Sequence, residues 1–289
     1  MGALLALVSS LAYGLSDVIG GLASRRMRPL LVASVGQVGG LAAMAIAVAV
    51  LPRAAPVAGD LAWGALSGLG TAAAMIFLFR GMARGAMSVV VPVSAVGGVA
   101  LPVVVGVALL GDRPSPIAWA GVALVLPSLW LVSRGTSSGS PTAPALRDGL
   151  ASGVGIAVQY LGLAQAGPTA GLWPVLAGRV TAVVAVAALG WVAVRSRAAA
   201  LDPAVSAPCR SRRIPLVLAV AAGVLAAVAL TAYLIAARTE FVSVAVVLSS
   251  LYPVVPVAVG LAVLGERVRR PQAAGLVGAL VAAALVAAT

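Results

Sequence analysis

Residues 30–50, LLVASVGQVGGLAAMAIAVAV, contain no charged side chain, and stretches of this length and character recur from one end of the chain to the other. A helix rises about 1.5 Å per residue, so ~20 apolar residues match the hydrocarbon thickness of a bilayer. Inside lipid the backbone must satisfy its own hydrogen bonds, which leaves only helices or closed barrels. Barrel strands alternate apolar and polar residues; these segments are continuously apolar. Composition agrees, with 62% hydrophobic and 9% charged residues, against about 45–50% and 25% in soluble domains. The fold class expected is an all-α polytopic membrane protein. Ten helices are expected over 3–23, 30–51, 61–79, 86–110, 117–133, 149–166, 172–194, 215–237, 242–264 and 272–288. The arginines of the first segment (Arg25, Arg26, Arg28) follow its apolar run, so it reads as a retained helix and not as a signal peptide.

The formal net charge is +12, and all 19 basic residues are arginine. In a soluble chain such a balance points to nucleic acid. Here the arginines lie in short loops, where they set orientation across the membrane, and no nucleic-acid partner is expected. The odd-numbered loops hold fifteen of them and the even-numbered loops three, which places both termini outside. Histidine and lysine are absent, and the single cysteine, Cys209, lies in an arginine-rich loop. These absences exclude an internal disulfide, a His/Cys metal site, a Cys-His pair and Schiff-base chemistry. No enzyme activity, cofactor or metal is expected.

The chain repeats itself. Gly-Gln-Val (36–38) aligns with Gly-Arg-Val (178–180) at an offset of 142, which also pairs Asp17 with Gln159. Beyond the 195–214 loop the offset becomes 154. There ALLGDR (108–113) aligns with AVLGER (262–267), Pro102 with Pro256, and Arg84 with Arg238. Residues 1–134 and 148–289 are thus read as two five-helix repeats joined by a Gly/Ser/Pro-rich linker at 135–147. An odd number of helices per repeat inverts one repeat relative to the other. Inverted repeats are the architecture of many secondary transporters, with the substrate site near the bilayer midplane between them.

The helix ending in LGER (264–267), followed by PQAAGLVGALVAAALV (271–286), resembles the EamA-type domain of the drug/metabolite transporter superfamily. The likeness is good over 215–288 and over roughly 61–133, with Asp112 where that family usually has Glu, and weaker in helices 1, 2, 6 and 7. The resemblance implies a secondary transporter in the cytoplasmic membrane that exports or exchanges small metabolites, amino acids, nucleotide derivatives or drugs. It implies a different orientation from the one the arginines give. Relatives carry basic clusters between helices 2 and 3 and between 6 and 7, where this chain has Arg53 alone and none.

Candidate site residues come from polar groups inside apolar helices. A charge near the bilayer centre costs about 2.5–3.5 kcal/mol on insertion scales, so it faces a cavity or a partner. Asp17 in helix 1 and Arg179 in helix 7 qualify, with Gln159 and Gln37 as their repeat counterparts. Counting depth along the helices sets Asp17 and Gln37 toward one side and Arg179 and Gln159 toward the other, a separation of about 10 Å. Such a cavity suits a zwitterion or small anion, since the arginine fork matches a carboxylate or phosphate. The plain alternative is that both charges reach interfacial water or lock helices together. Asp17 is also the one candidate for proton coupling. Tyr13, one turn from Asp17, together with Tyr252 and Ser249, completes the expected substrate site. Tyr160, Phe79 and Tyr233 are further candidates to line it, and ordinary packing explains each aromatic equally well.

Gly97, Gly98 and Pro102 in helix 4, and Pro253 and Pro256 in helix 9, weaken helices at matching places, as binding sites and hinges in transporters do. Gly and Pro are also simply common in membrane helices. Asp112 and Glu266 follow a glycine at a helix end and read as structural hairpin residues. Gly64 and Gly68 read as close-packing positions. The partners expected are the lipid bilayer and a small-molecule substrate, with a homodimer left open. The alternative function is a non-transporting membrane subunit or lipid-handling protein.

Overall fold

The computed structural model describes residues 1–51, 55–84, 87–133, 143–195, 213–252, 254–255, 259 and 270–287. Helices α1 (Gly2–Ser24), α2 (Pro29–Val50), α3 (Ala58–Arg84), α4 (Met87–Leu109) and α5 (Pro116–Ser133) come first. Helix α6 (Ala143–Ala164) leads through a short 3₁₀ turn, Pro168–Ala170, to α7 (Trp173–Arg195), α8 (Arg213–Ala237), α9 (Val242–Ser249) and α10 (Arg270–Ala287). Five of these, α1, α2, α3, α7 and α8, have the length and hydropathy to cross a membrane. Their outer faces present Leu4, Leu11, Ile46, Val184 and Val217. In water such a surface would be strongly unfavourable; in a bilayer it faces acyl chains.

Local chemistry sets the helix ends. Pro29 opens α2, where its missing N–H has no intrahelical partner to lose. Ser115 Oγ accepts the Ala118 N–H (3.1 Å) and caps α5 ahead of Pro116. Gly111 ends α4 in the left-handed region (φ 78°), as the glycine before Asp112 foretold.

Glycine decides which helices approach closely. A Cβ on Gly70 would stand 2.6 Å from the Gln159 nitrogen, and one on Gly155 2.6 Å from that of Ala74, so α3 and α6 meet backbone to backbone. Gly64 and Gly68 face Pro174 and Gly178 of α7, in keeping with the packing role read from their spacing. The helices interlock across the chain: α3 packs on α6 and α7, while α8 packs on α1 and α2.

Three expectations need correction. Helix α4 runs unbroken across Gly97, Gly98 and Pro102. Its glycines serve contact, since a Cβ on Gly97 would lie 3.2 Å from Gly153 Cα and one on Gly98 2.6 Å from Ile156 Cγ2. Residues 143–147, expected in the linker, form the first turns of α6. Among the described residues the Asp112 carboxylate bonds neither its own hairpin nor the following helix. Its carboxylate accepts the Ser243 N–H (2.7 Å) and so caps α9, 131 residues away. The space against Gly106 lets it reach there, since a Cβ on that glycine would come within 2.7 Å of Asp112 Oδ2. Pro253, Pro256 and Glu266 lie outside the described residues. Just before Pro253 α9 stops at Ser249, and the backbone tightens into turns in which Leu251 N–H bonds Leu248 and Val255 N–H bonds the Tyr252 carbonyl (3.1 Å).

Candidate substrate site

A cavity opens among α1, α3, α6, α8 and the turn after α9. Its space is about 480 Å³, open mouth included. Four of the expected residues line it: Tyr13, Asp17, Gln159 and Tyr252. Tyr160 and Phe79 line it as well.

The polar groups in this wall are held in fixed directions. Gln159 Nε2 donates to the Tyr13 hydroxyl (2.6 Å), and Gln159 Oε1 accepts from Thr71 Oγ1 (2.7 Å). The single Thr71 proton is shared between Gln159 Oε1 and the Ser67 carbonyl (3.0 Å), and the Tyr13 O–H keeps its own proton to donate. Ser94 donates to the Val91 carbonyl (2.8 Å), which leaves its oxygen to accept the Tyr252 hydroxyl (3.2 Å). The Tyr13 ring packs edge-on against Tyr160 and tilted against Tyr252, each with centroids 6.2 Å apart. Such pairs favour a rigid aromatic wall.

Asp17 stands apart from this network. It is 6% exposed and lines the cavity, and among the described residues no hydrogen bond or ion pair reaches its carboxylate. Its neighbour Ser16 bonds the Ala222 carbonyl (2.8 Å) and fixes α1 against α8.

The remaining expected residues sit behind the wall. Arg179 Nη1 donates to Gln37 Oε1 (3.1 Å), and both side chains are essentially inaccessible. The depth count had set them at different levels; helix packing and two long side chains bring them together. Neither lines the cavity. Between Gln37 and the cavity stands Met75, which lines the cavity and whose sulfur contacts Gln37 Nε2. Ser249 is also absent from the lining: it is fully buried with its hydroxyl on the Ala6 carbonyl (3.4 Å), a tie between α9 and α1. Tyr233 likewise packs behind, donating to the Tyr160 carbonyl (3.1 Å). Thr71 and Met75 escaped sequence reading because one hydroxyl and one thioether in an apolar helix are indistinguishable there from filler.

Polar contacts tie the two ends of the bundle. At the end where the chain begins, Glu240 accepts the Ala3 N–H (3.2 Å), and Asp60 accepts that of Gly167 (2.7 Å). Arg238 Nη2 donates to the Gly167 and Gly171 carbonyls (3.0 and 2.9 Å). Burial pulls the Arg238 guanidinium below its ordinary value, opposed by the Asp60 charge. At the far end Arg80 holds Asp148 through two nitrogens, with Arg84 at 3.5 Å.

Residues 1–134 match the model of the EamA-like transporter family. Over these residues the chain is EamA-like. That similarity, together with helices of membrane-spanning length and hydropathy, indicates an integral membrane protein. A solved crystal structure of a protein 18% identical in sequence superposes with a TM-score of 0.72, covering 98% of this chain and 95% of its own. At that identity the likeness is one of fold, and it extends over nearly the whole chain. No curated protein matches.

Proposed function

We propose that this protein is a secondary transporter that moves a small polar metabolite, amino-acid-like or related, or a drug across the cytoplasmic membrane. The observation that carries this reading is the Asp17 carboxylate, unpaired among the described residues, facing a tyrosine-walled cavity inside a membrane-embedded bundle. An uncompensated carboxylate there is costly, and a substrate or proton that meets it removes the cost. Tyr13, Gln159 and Tyr252 supply the oriented polar groups that fix a solute.

The architecture we infer is a pair of inverted five-helix repeats, one within residues 1–134 and one beginning at α6. The packing supports it. Each repeat's third helix lies against the first two helices of the other, α3 on α6 and α7 and α8 on α1 and α2. Gln37 and Arg179, equivalent positions of the repeats, touch each other, as residues beside a pseudo-two-fold axis do. Transport proceeds by alternating access, with the polar ties at one end of the bundle opening as those at the other close. From the arginine placement we infer that both termini lie outside, and export is the direction proposed.

Uptake into proteoliposomes tests the function. Labelled amino acids, nucleosides, sugar phosphates and cationic drugs are presented to the full chain. Accumulation of one class, reduced in Asp17→Asn and Tyr252→Ala, is the expected result. If no class enters above protein-free liposomes, the non-transporting or lipid-handling reading replaces this one.

A further inference from the structure

The guanidinium of Arg179 is not satisfied. It is 1% exposed, its Nη1 bonds Gln37, and among the described residues its Nε and Nη2 have no partner. Two free donors of a buried cation are a costly arrangement in a protein interior and still more so in a membrane. Gly40 leaves space for the guanidinium on its Nη1 side, where a Cβ would approach to 3.3 Å. Gln37, which holds Nη1, is backed on the cavity side by Met75, whose side chain lines the cavity and whose sulfur contacts Gln37 Nε2. Methionine is unbranched, with three rotatable bonds and a weakly held thioether, and it yields more readily than any other apolar residue of its size.

We propose that Met75 is a movable partition, and that Gln37 and Arg179 behind it form a subsite for the anionic group of the substrate. The proposal rests on the reading of the cavity as the substrate site and names the chemistry that enters it: a small solute bearing a carboxylate or phosphate. When the Met75 side chain turns aside, Arg179 Nε and Nη2 become available to two oxygens of one anion, the paired geometry arginine provides. Gln37 Nε2, released from sulfur, adds a third donor. Asp17 remains in the cavity proper, so a solute with a cationic group spans the two.

Thiol labelling of the full chain, in a Cys209→Ser background, tests this without a known substrate. Ser16→Cys reports the cavity and Gln37→Cys the space behind Met75. The reagents are a negatively charged sulfonatoethyl and a positively charged trimethylammonioethyl methanethiosulfonate. We expect Gln37→Cys to react with the anionic reagent at least about tenfold faster than with the cationic one, as a single nearby charge produces. Met75→Ala should speed that reaction, and Arg179→Gln should erase the charge preference. Benzoate or phenyl phosphate should slow it, and benzyl alcohol should not; which anion protects tells carboxylate from phosphate. Absence of reaction at Gln37→Cys, a reaction blind to reagent charge, or protection by neither anion overturns the proposal. In each case labelling at Ser16→Cys leaves the cavity reading standing, while a silent Ser16→Cys refutes the cavity itself.

Discussion

Gln37 and Arg179 stand 142 residues apart, at positions the proposed repeats make equivalent, and they hydrogen-bond to each other at 3.1 Å in the interior. This contact sets an unusual order of stabilities. Gln37→Leu takes away the acceptor of a buried guanidinium and should cost about 2–3 kcal/mol. Arg179→Leu removes the cation together with its unmet donors and should cost less, because a buried charge replaced by an apolar side chain is often neutral or better. Thermal unfolding of both variants in detergent checks the order; Arg179→Leu unfolding below Gln37→Leu would count against it.

Asp17 makes the opposite kind of case, a carboxylate with no hydrogen bond or ion pair among the described residues. Asp17→Asn gives up no bond and removes a desolvated charge, so the melting temperature should hold or rise. Affinity for cationic or zwitterionic solutes should fall about tenfold or more, as loss of a charge-assisted contact implies. Melting curves and concentration-dependent uptake separate the two effects. If Asp17 also carries the coupling proton, the residual transport of Asp17→Asn should no longer follow a pH gradient.

Asp112 caps α9 through the Ser243 N–H. Asp112→Ala should lower stability by about 1 kcal/mol, the usual worth of an N-cap, and Asp112→Asn by less. Both are measured as melting temperatures. Because the cap joins the α4 end to α9, Asp112→Ala should also change uptake rate more than substrate affinity.

Much of this fold is legible in the sequence because lipid permits so few backbone solutions. Helix starts and ends such as those of α2, α7 and α8 fall within two residues of where apolar runs begin and stop. Asp17, Tyr13, Gln159 and Tyr252 could be named as cavity residues because polar groups in apolar helices are conspicuous. Depth and facing were another matter. A residue count cannot see that close glycine contacts such as Gly36 against Gly223 set how α2 lies on α8, so Gln37 and Arg179 were placed at different levels. Nor can it see that Gly97 and Gly98 admit α6 instead of breaking α4, since a missing side chain serves either end. Thr71 gave no signal until its hydroxyl was found on Gln159.

The proposed orientation rests on the arginines. A C-terminal alkaline phosphatase fusion should be active and a C-terminal green fluorescent protein fusion dark, because the positive loops stay in the cytoplasm and the termini do not. A bright fluorescent fusion would reverse the assignment.

The most direct test of the central claim is ligand-induced thermal stabilisation of the purified full chain, compared with Asp17→Asn and Gln159→Leu. The panel is amino acids, nucleosides, sugar phosphates and cationic drugs. A solute bound by the native state alone stabilises it by about 2.7 kcal/mol at a hundredfold excess over its Kd. The account predicts that one chemical class raises the melting temperature of the wild type and that the rise shrinks or vanishes in both variants. A shift that persists unchanged in both, or no shift from any class, contradicts the assignment of this cavity as the substrate site.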